Sequence, residues 1–171
     1  PYTEIKRFDW IRGDVVGGRS LLWARQSYRL SDLDFEANAQ DGHGVDWPIR
    51  YKDLAPWYDY VENFIGVSGQ AEGIAHLPDS RFQPPMEMNC VEKDFRARVK
   101  QNYPDRFVTI GRTANLTQPV KGRGQCQNRD LCHRGCPYGA YFSTNASTLP
   151  AAFATGNLTL RPHSLVNKVI Y

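Results

Sequence analysis

The sequence predicts a mixed chain of helices and short strands (α+β), on three observations. Leu54, Trp57, Tyr58, Val61 and Ile65 recur at helical spacing behind Asp53, and Gly66 stops the run. Residues 158–160 and 165–171 alternate like two strands joined at Pro162-His163-Ser164. Val15 and Val16 lead into Gly17-Gly18, which reads as an extended segment entering a tight backbone turn.

Each element has a local cause. Asp53 is a good helix N-cap, and Pro56 falls in the first turn, where a missing N–H costs nothing. Between residues 34 and 48 the breakers Gly42, Gly44 and Pro48 predict loop. Residues 67–89 contain Gly69, Gly73, Pro78, Pro84 and Pro85 with poor periodicity, so a long loop is expected there. Val91, Phe95 and Val99 mark a short amphipathic helix ending near Asn102, and residues 107–110 read as a brief strand. An Ala-rich helix around Pro150 is expected within residues 143–155, closed by Gly156. There is no internal repeat or low-complexity tract.

The 171 residues with 41% hydrophobic content suffice for one core. The formal charge of +3 comes from basic and acidic residues that alternate, so no polybasic arm for nucleic acid or anionic lipid is present. No apolar run approaches the ~18 residues of a membrane span, and the first ten residues lack a signal-peptide pattern. The expectation is either a cytosolic protein or an export signal outside this chain. The start at Pro1 and the end at Tyr171 both read as fragment boundaries.

Two constellations carry possible chemistry. Paired glycines in Val15-Val16-Gly17-Gly18-Arg19-Ser20 let backbone N–H groups approach a ligand closely, although a purely structural turn has the same signature. Cys126, Cys132 and Cys136 lie within eleven residues, and Pro137 follows the last. Clustered thiolates in a Gly-rich loop can hold iron and sulfide. Free thiols, a disulfide, or zinc with His133 as fourth ligand remain open on the same spacing. Cys90 fits no ligand pattern and is expected in the core, and His43, His76, His133 and His163 are expected in loops or at the surface. Trp10, Trp23, Trp47 and Trp57 with Tyr58 and Tyr60 are able to stack on sugar faces, but Trp57 and Tyr58 fall in a helical stripe and read first as core.

Read as a whole, the neighbourhoods are more specific. Val16-Gly17-Gly18-Arg19-Ser20-Leu21-Leu22-Trp23, then Asp46-Trp47-Pro48-Ile49 and Tyr51-Lys52-Asp53-Leu54-Ala55-Pro56-Trp57-Tyr58, stand in one order. Ser143-Thr144-Asn145-Ala146-Ser147-Thr148-Leu149-Pro150-Ala151-Ala152 and His163-Ser164-Leu165-Val166-Asn167-Lys168-Val169 close the set. The combination resembles the glucose–methanol–choline (GMC) oxidoreductases, FAD-dependent flavoproteins that include choline and sugar dehydrogenases.

That resemblance implies an α/β FAD-binding fold, with residues 1–30 and 139–171 in the FAD-binding domain and residues 31–138 forming a lid and substrate region with the Cys-rich loop. It implies flavin contacts at Gly17, Gly18, Arg19 and Ser20 and an adenine-facing backbone at Val166. Leu22 stands where some relatives carry a flavin-linked histidine, so the FAD is expected to be non-covalent. The cysteine spacing resembles the three-cysteine site of bacterial flavin dehydrogenases with a [3Fe-4S] cluster, which implies a cytochrome or quinone acceptor. The implied reaction oxidises the CH–OH group of an alcohol or sugar, with the proton taken by a histidine outside this chain and the hydride going to flavin. No Gly-x-Gly-x-x-Gly follows a strand here, as expected of an internal fragment without activity of its own. The alternative is a small non-enzymatic module organised by zinc at Cys126, Cys132, His133 and Cys136.

Overall fold

The computed structural model describes residues 3–9 and 11–171. Trp10, counted above among the candidate sugar-stacking rings, lies outside the described residues, as do Pro1 and Tyr2. Five α-helices are described: α1 Asp32–Phe35, α2 Ala37–Asp41, α3 Tyr51–Ile65, α4 Cys90–Asn102 and α5 Thr148–Ala154. Between them in sequence run extended segments that, among the described residues, pair only through isolated bridges.

The organising segment is residues 112–116. On one side, Ala114 N–H donates to Arg25 O (2.8 Å) and Ser27 N–H to Arg112 O (3.0 Å). On the other, Ser68 and Thr113 exchange both backbone bonds, at 2.9 and 3.0 Å. Leu116 N–H donates to Ala140 O (2.9 Å) and Phe142 N–H to Ala114 O (2.8 Å). Phe35, Val67, Ala114, Leu116, Ala140 and Tyr141 are buried around this crossing. Pairing thus begins just beyond the expected strand at residues 107–110, because the polar run Arg112-Thr113-Ala114-Asn115 carries no alternation that would have marked it.

The α/β expectation is not confirmed at the level of strands. Residues 158–160 and 165–171 form none, and Leu165, Val166 and Ile170 are 96%, 81% and 88% exposed. A strand needs a neighbour to accept its ladder bonds, and among the described residues no bridge joins these stretches to another segment. The helices follow their caps. In α3 the chain turns in at Arg50, whose N–H donates to Asp53 Oδ2 (2.8 Å), so Asp53 is the third helical residue and not the cap. Pro56 consequently lies in the second turn and withholds the N–H that would reach the Lys52 carbonyl. α4 begins with a reciprocal box in which Asn89 Oδ1 accepts from Glu92 N–H and Asn89 N–H donates to Glu92 Oε2. α1 and α2 replace part of the loop expected from residue 34; Ser31 N–H donating to Asp34 Oδ2 (2.7 Å) caps α1, and α2 has no side-chain cap.

Two expectations of burial are corrected. Cys90 is exposed at the first position of α4, and Met88 two residues earlier is buried in its place. Trp57 is 67% exposed, because α3 turns Glu62 inward and not its aromatic stripe. Glu62 meets Arg29, whose Nε lies 3.1 Å from both carboxylate oxygens, while Tyr51 Oη accepts from Arg29 Nη1 at 2.8 Å. Asp59 and Ser80 complete this buried polar knot. Burial pulls the Arg29 guanidinium down, but its bonds to Glu62, Asp59 and Tyr51 outweigh this and hold it above its ordinary range.

Candidate functional site

The paired glycines form a tight corner. Gly17 has φ +104° and Gly18 φ +46°, and a short 3₁₀ turn follows over Gly18–Leu21. Gly18 N–H donates to Val15 O (2.9 Å), and the Ser20 hydroxyl donates to Gly17 O (2.6 Å). The corner is clipped to a segment 124 residues away: Ser20 Oγ accepts from Thr144 N–H (3.0 Å), and Asn145 Nδ2 donates to Val16 O (3.0 Å). Trp23 extends the seam by donating from Nε1 to Phe142 O (3.0 Å) and packing edge-on against the Phe142 ring.

The two glycines answer different demands. A Cβ on Gly17 would stand 2.7 Å from Asn145 Oδ1, so this glycine is required by the clip itself. A Cβ on Gly18 would meet nothing closer than the Gly13 carbonyl at 4.0 Å, so that face of the turn is open. Open space beside the corner is bordered by Ile11, Gly13, Asp14 and the exposed Arg19, whose Nη1 donates to Ile11 O at 3.3 Å. A second groove runs between residues 13–16 and 160–165. Val166 is exposed just past the end of that groove and is not gathered with Gly17, Gly18, Arg19 and Ser20.

Cys126, Cys132 and Cys136 are half-buried free thiols lining one pocket with Leu131, Pro137 and Tyr138. The loop is tied to the organising segment at both ends. Cys126 N–H donates to Leu116 O (2.7 Å), while Leu116 N–H holds Ala140, whose own N–H donates to Cys136 Sγ at 3.4 Å. Asn128 N–H points at Cys126 Sγ (3.5 Å), with Asn128 at φ +49° and Asp130 at φ +53° bending the loop around the sulfurs. Cys132 opens a short 3₁₀ turn, Cys132–Arg134, and His133 is exposed. Among the described residues no group of three or more His, Cys, Asp or Glu side chains is placed to hold a metal ion, so the four-ligand zinc arrangement with His133 finds no support.

Arg123 lies beneath this loop, 5% exposed. Its Nε donates to Gly139 O (2.9 Å), Nη1 to Ile65 O (2.5 Å) and Nη2 to Ala140 O (3.4 Å). Burial pulls its guanidinium below the ordinary range, and the Cys136 sulfur pulls it back. Sequence reasoning missed Arg123, which no local pattern marks, and it singled out the segment holding Thr144 and Asn145 without their contact to the glycine corner. The aromatic rings are not gathered into one platform: Trp23 sits on Phe142, Trp47 on Phe35 and Tyr51 on Tyr58.

A family model described as GMC oxidoreductase matches residues 3–171, and the chain belongs to that family, in its N-terminal, FAD-binding part. The chain is 29% identical over 131 residues to the fructose dehydrogenase large subunit of Gluconobacter japonicus, covering 75% of this chain and 24% of that protein. It is 31% identical over 153 residues to paromamine 6'-oxidase of Streptomyces fradiae, covering 85% and 26%. It is also 24% identical over 172 residues to an oxygen-dependent choline dehydrogenase of Escherichia coli, covering 100% and 28%. The chain spans about a quarter of the length of the curated relatives it matches.

Proposed function

We propose that this chain is the internal part of an FAD-dependent dehydrogenase that oxidises the CH–OH group of an alcohol or sugar. The observation that carries the reading is the corner at Gly17 and Gly18, clipped by Ser20, Thr144 and Asn145 and left open on the Gly18 face. An open, side-chain-free turn is what close approach of a flavin requires. Gly17, Gly18, Arg19 and Ser20 would line the flavin, with Val166 toward the adenine end. Leu22 has no nucleophilic atom, so the FAD would be held non-covalently. When bound, the flavin supplies the hydride acceptor. Residues 1–30 and 139–171 would belong to the FAD-binding domain, and residues 31–138 to the lid and substrate region. The base is not assigned within this chain, whose four histidines are all exposed.

Cys126, Cys132 and Cys136 are proposed to ligate a [3Fe-4S] cluster that passes electrons to a cytochrome or quinone. A zinc ion draws thiolates to about 2.3 Å in one tight shell, whereas in a cluster each thiolate binds its own iron and the ligands stand farther apart. A shared pocket, two backbone N–H groups aimed at sulfur and a buried cation beneath fit a negatively charged cluster better than three inert thiols. The test is full-length protein purified without air. Stoichiometric flavin absorbance bleached by an alcohol or sugar is expected, with about three irons per flavin by the cluster's own formula. A protein without flavin absorbance, or a yellow one that no alcohol or sugar bleaches, sinks the flavin reading; a yellow, active, iron-free one sinks the cluster alone.

A further inference from the structure

The backbone beside Cys136 is wired to Arg123. Gly139 C=O and Ala140 N–H are the two ends of one peptide group. Its oxygen accepts from Arg123 Nε at 2.9 Å, and its N–H donates to Cys136 Sγ at 3.4 Å. Arg123 Nη2 also reaches the next carbonyl, Ala140 O. Hydrogen bonds in series polarise one another, so a cation on the oxygen strengthens the N–H as a donor to sulfur. Among the described residues Arg123 donates to backbone carbonyls, and no carboxylate pairs with it. A buried cation without a counter-charge is costly, and the peptide that Arg123 holds is the one whose N–H faces Cys136 Sγ.

The geometry points to Arg123 as a positioning residue that, through the Gly139–Ala140 peptide, sets the reduction potential of the cysteine-held centre. This rests on reading Cys126, Cys132 and Cys136 as cluster ligands. One-electron reduction would make the whole centre held by these thiolates more negative by one charge, and a guanidinium bonded to the peptide that serves Cys136 favours the reduced form. Arg123 therefore raises the potential, which would ease electron flow from reduced flavin toward the external acceptor.

The experiment is a redox titration of the full-length holoenzyme with dithionite and mediators, followed by low-temperature spin resonance. Arg123→Gln is expected to shift the reduced-to-oxidised ratio at fixed potential about tenfold toward oxidised, about 59 mV for one electron. Arg123→Lys keeps the charge and should recover most of that shift; a residue with only a structural role would show no such rescue. Independently of any variant, wild-type enzyme labelled with ¹⁵N-alanine should show coupling of an amide nitrogen to the spin, from Ala140. Absence of that coupling, or an unmoved potential in an iron-loaded Arg123→Gln enzyme, overturns the inference while leaving the cluster standing. Absence of iron from wild-type enzyme overturns the cluster reading itself.

Discussion

Arg29 and Arg123 are equally buried, at 5% exposure each, yet their surroundings are opposite. Arg29 meets Glu62, Asp59 and the Tyr51 hydroxyl, so its charge is cancelled within its own shell. Among the described residues Arg123 bonds to carbonyls alone, and one of them belongs to the peptide whose N–H faces Cys136 Sγ. A buried cation whose counter-charge is local ties elements together, here α3 to the segment before α1. A cation whose counter-charge is not local points to where negative charge is meant to reside.

The largest effect expected from this contrast is at Glu62. Glu62→Leu removes the buried partner of Arg29 and leaves the half-exposed Asp59 opposite it, which should cost about 3 kcal/mol in denaturant unfolding of the full-length enzyme, whereas Arg29→Met with Glu62→Leu should regain most of it. A single variant as stable as wild type would break the comparison. Arg123→Gln removes donors and not a neutralised pair, so a smaller loss is expected, about 1–3 kcal/mol. The two losses are compared under the same denaturant; equal losses would mean that Arg123 is only another structural tie.

The glycine corner sharpens the same distinction between holding and receiving. Gly17→Ala drives a Cβ to 2.7 Å from Asn145 Oδ1 and should cost about 1–2 kcal/mol of stability, the strain of a left-handed position included. Gly18→Val should fold with a comparable strain but lose flavin, read as the ratio of flavin to protein absorbance. A yellow, active Gly18→Val enzyme would make the corner a turn and nothing more. Removing the α4 cap by Asn89→Ala should cost about 1 kcal/mol, with flavin content unchanged.

A third buried arginine predicts a pH effect. Arg112 donates to Leu77 O, Pro78 O and Asp79 Oδ1. Burial pushes the Asp79 carboxyl up, but the N–H groups of Glu72 and Gly73 together with Arg112 outweigh it, and the carboxyl stays below its ordinary range. With the folded value depressed, the stabilisation is complete above the unfolded value of about 3.9 and fades as pH falls through the folded one. Asp79→Asn should therefore flatten the acid side of the stability profile below about pH 4; an unchanged profile would show that Asp79 contributes nothing there.

Much of the helical content was legible because it rests on near-neighbour chemistry. The α3 stripe with its Gly66 stop, and the Val91, Phe95 and Val99 spacing of α4, are local patterns. The small helix α1 is also local, capped by Ser31 and Asp34, whereas α2 has no side-chain cap to mark it. Strand expectations failed for a different reason: alternation says which residues suit a strand, not which segment pairs with it. Residues 165–171 alternate without a partner, while Thr113, with no alternation around it, pairs on two sides.

By itself the sequence determined the family, through motif segments standing in order, and nominated Gly17, Gly18, Arg19, Ser20, Cys126, Cys132 and Cys136. It could nominate these because turns and short cysteine spacings are set by residues close along the chain. Only the tertiary structure decided that Ser20 and Asn145 lock the corner, that Gly17 and Gly18 serve different ends, and that Arg123 reaches Cys136 through one peptide. Those contacts join residues up to 129 positions apart, and a hydrogen bond at that distance along the chain exists only once packing has brought its two ends together.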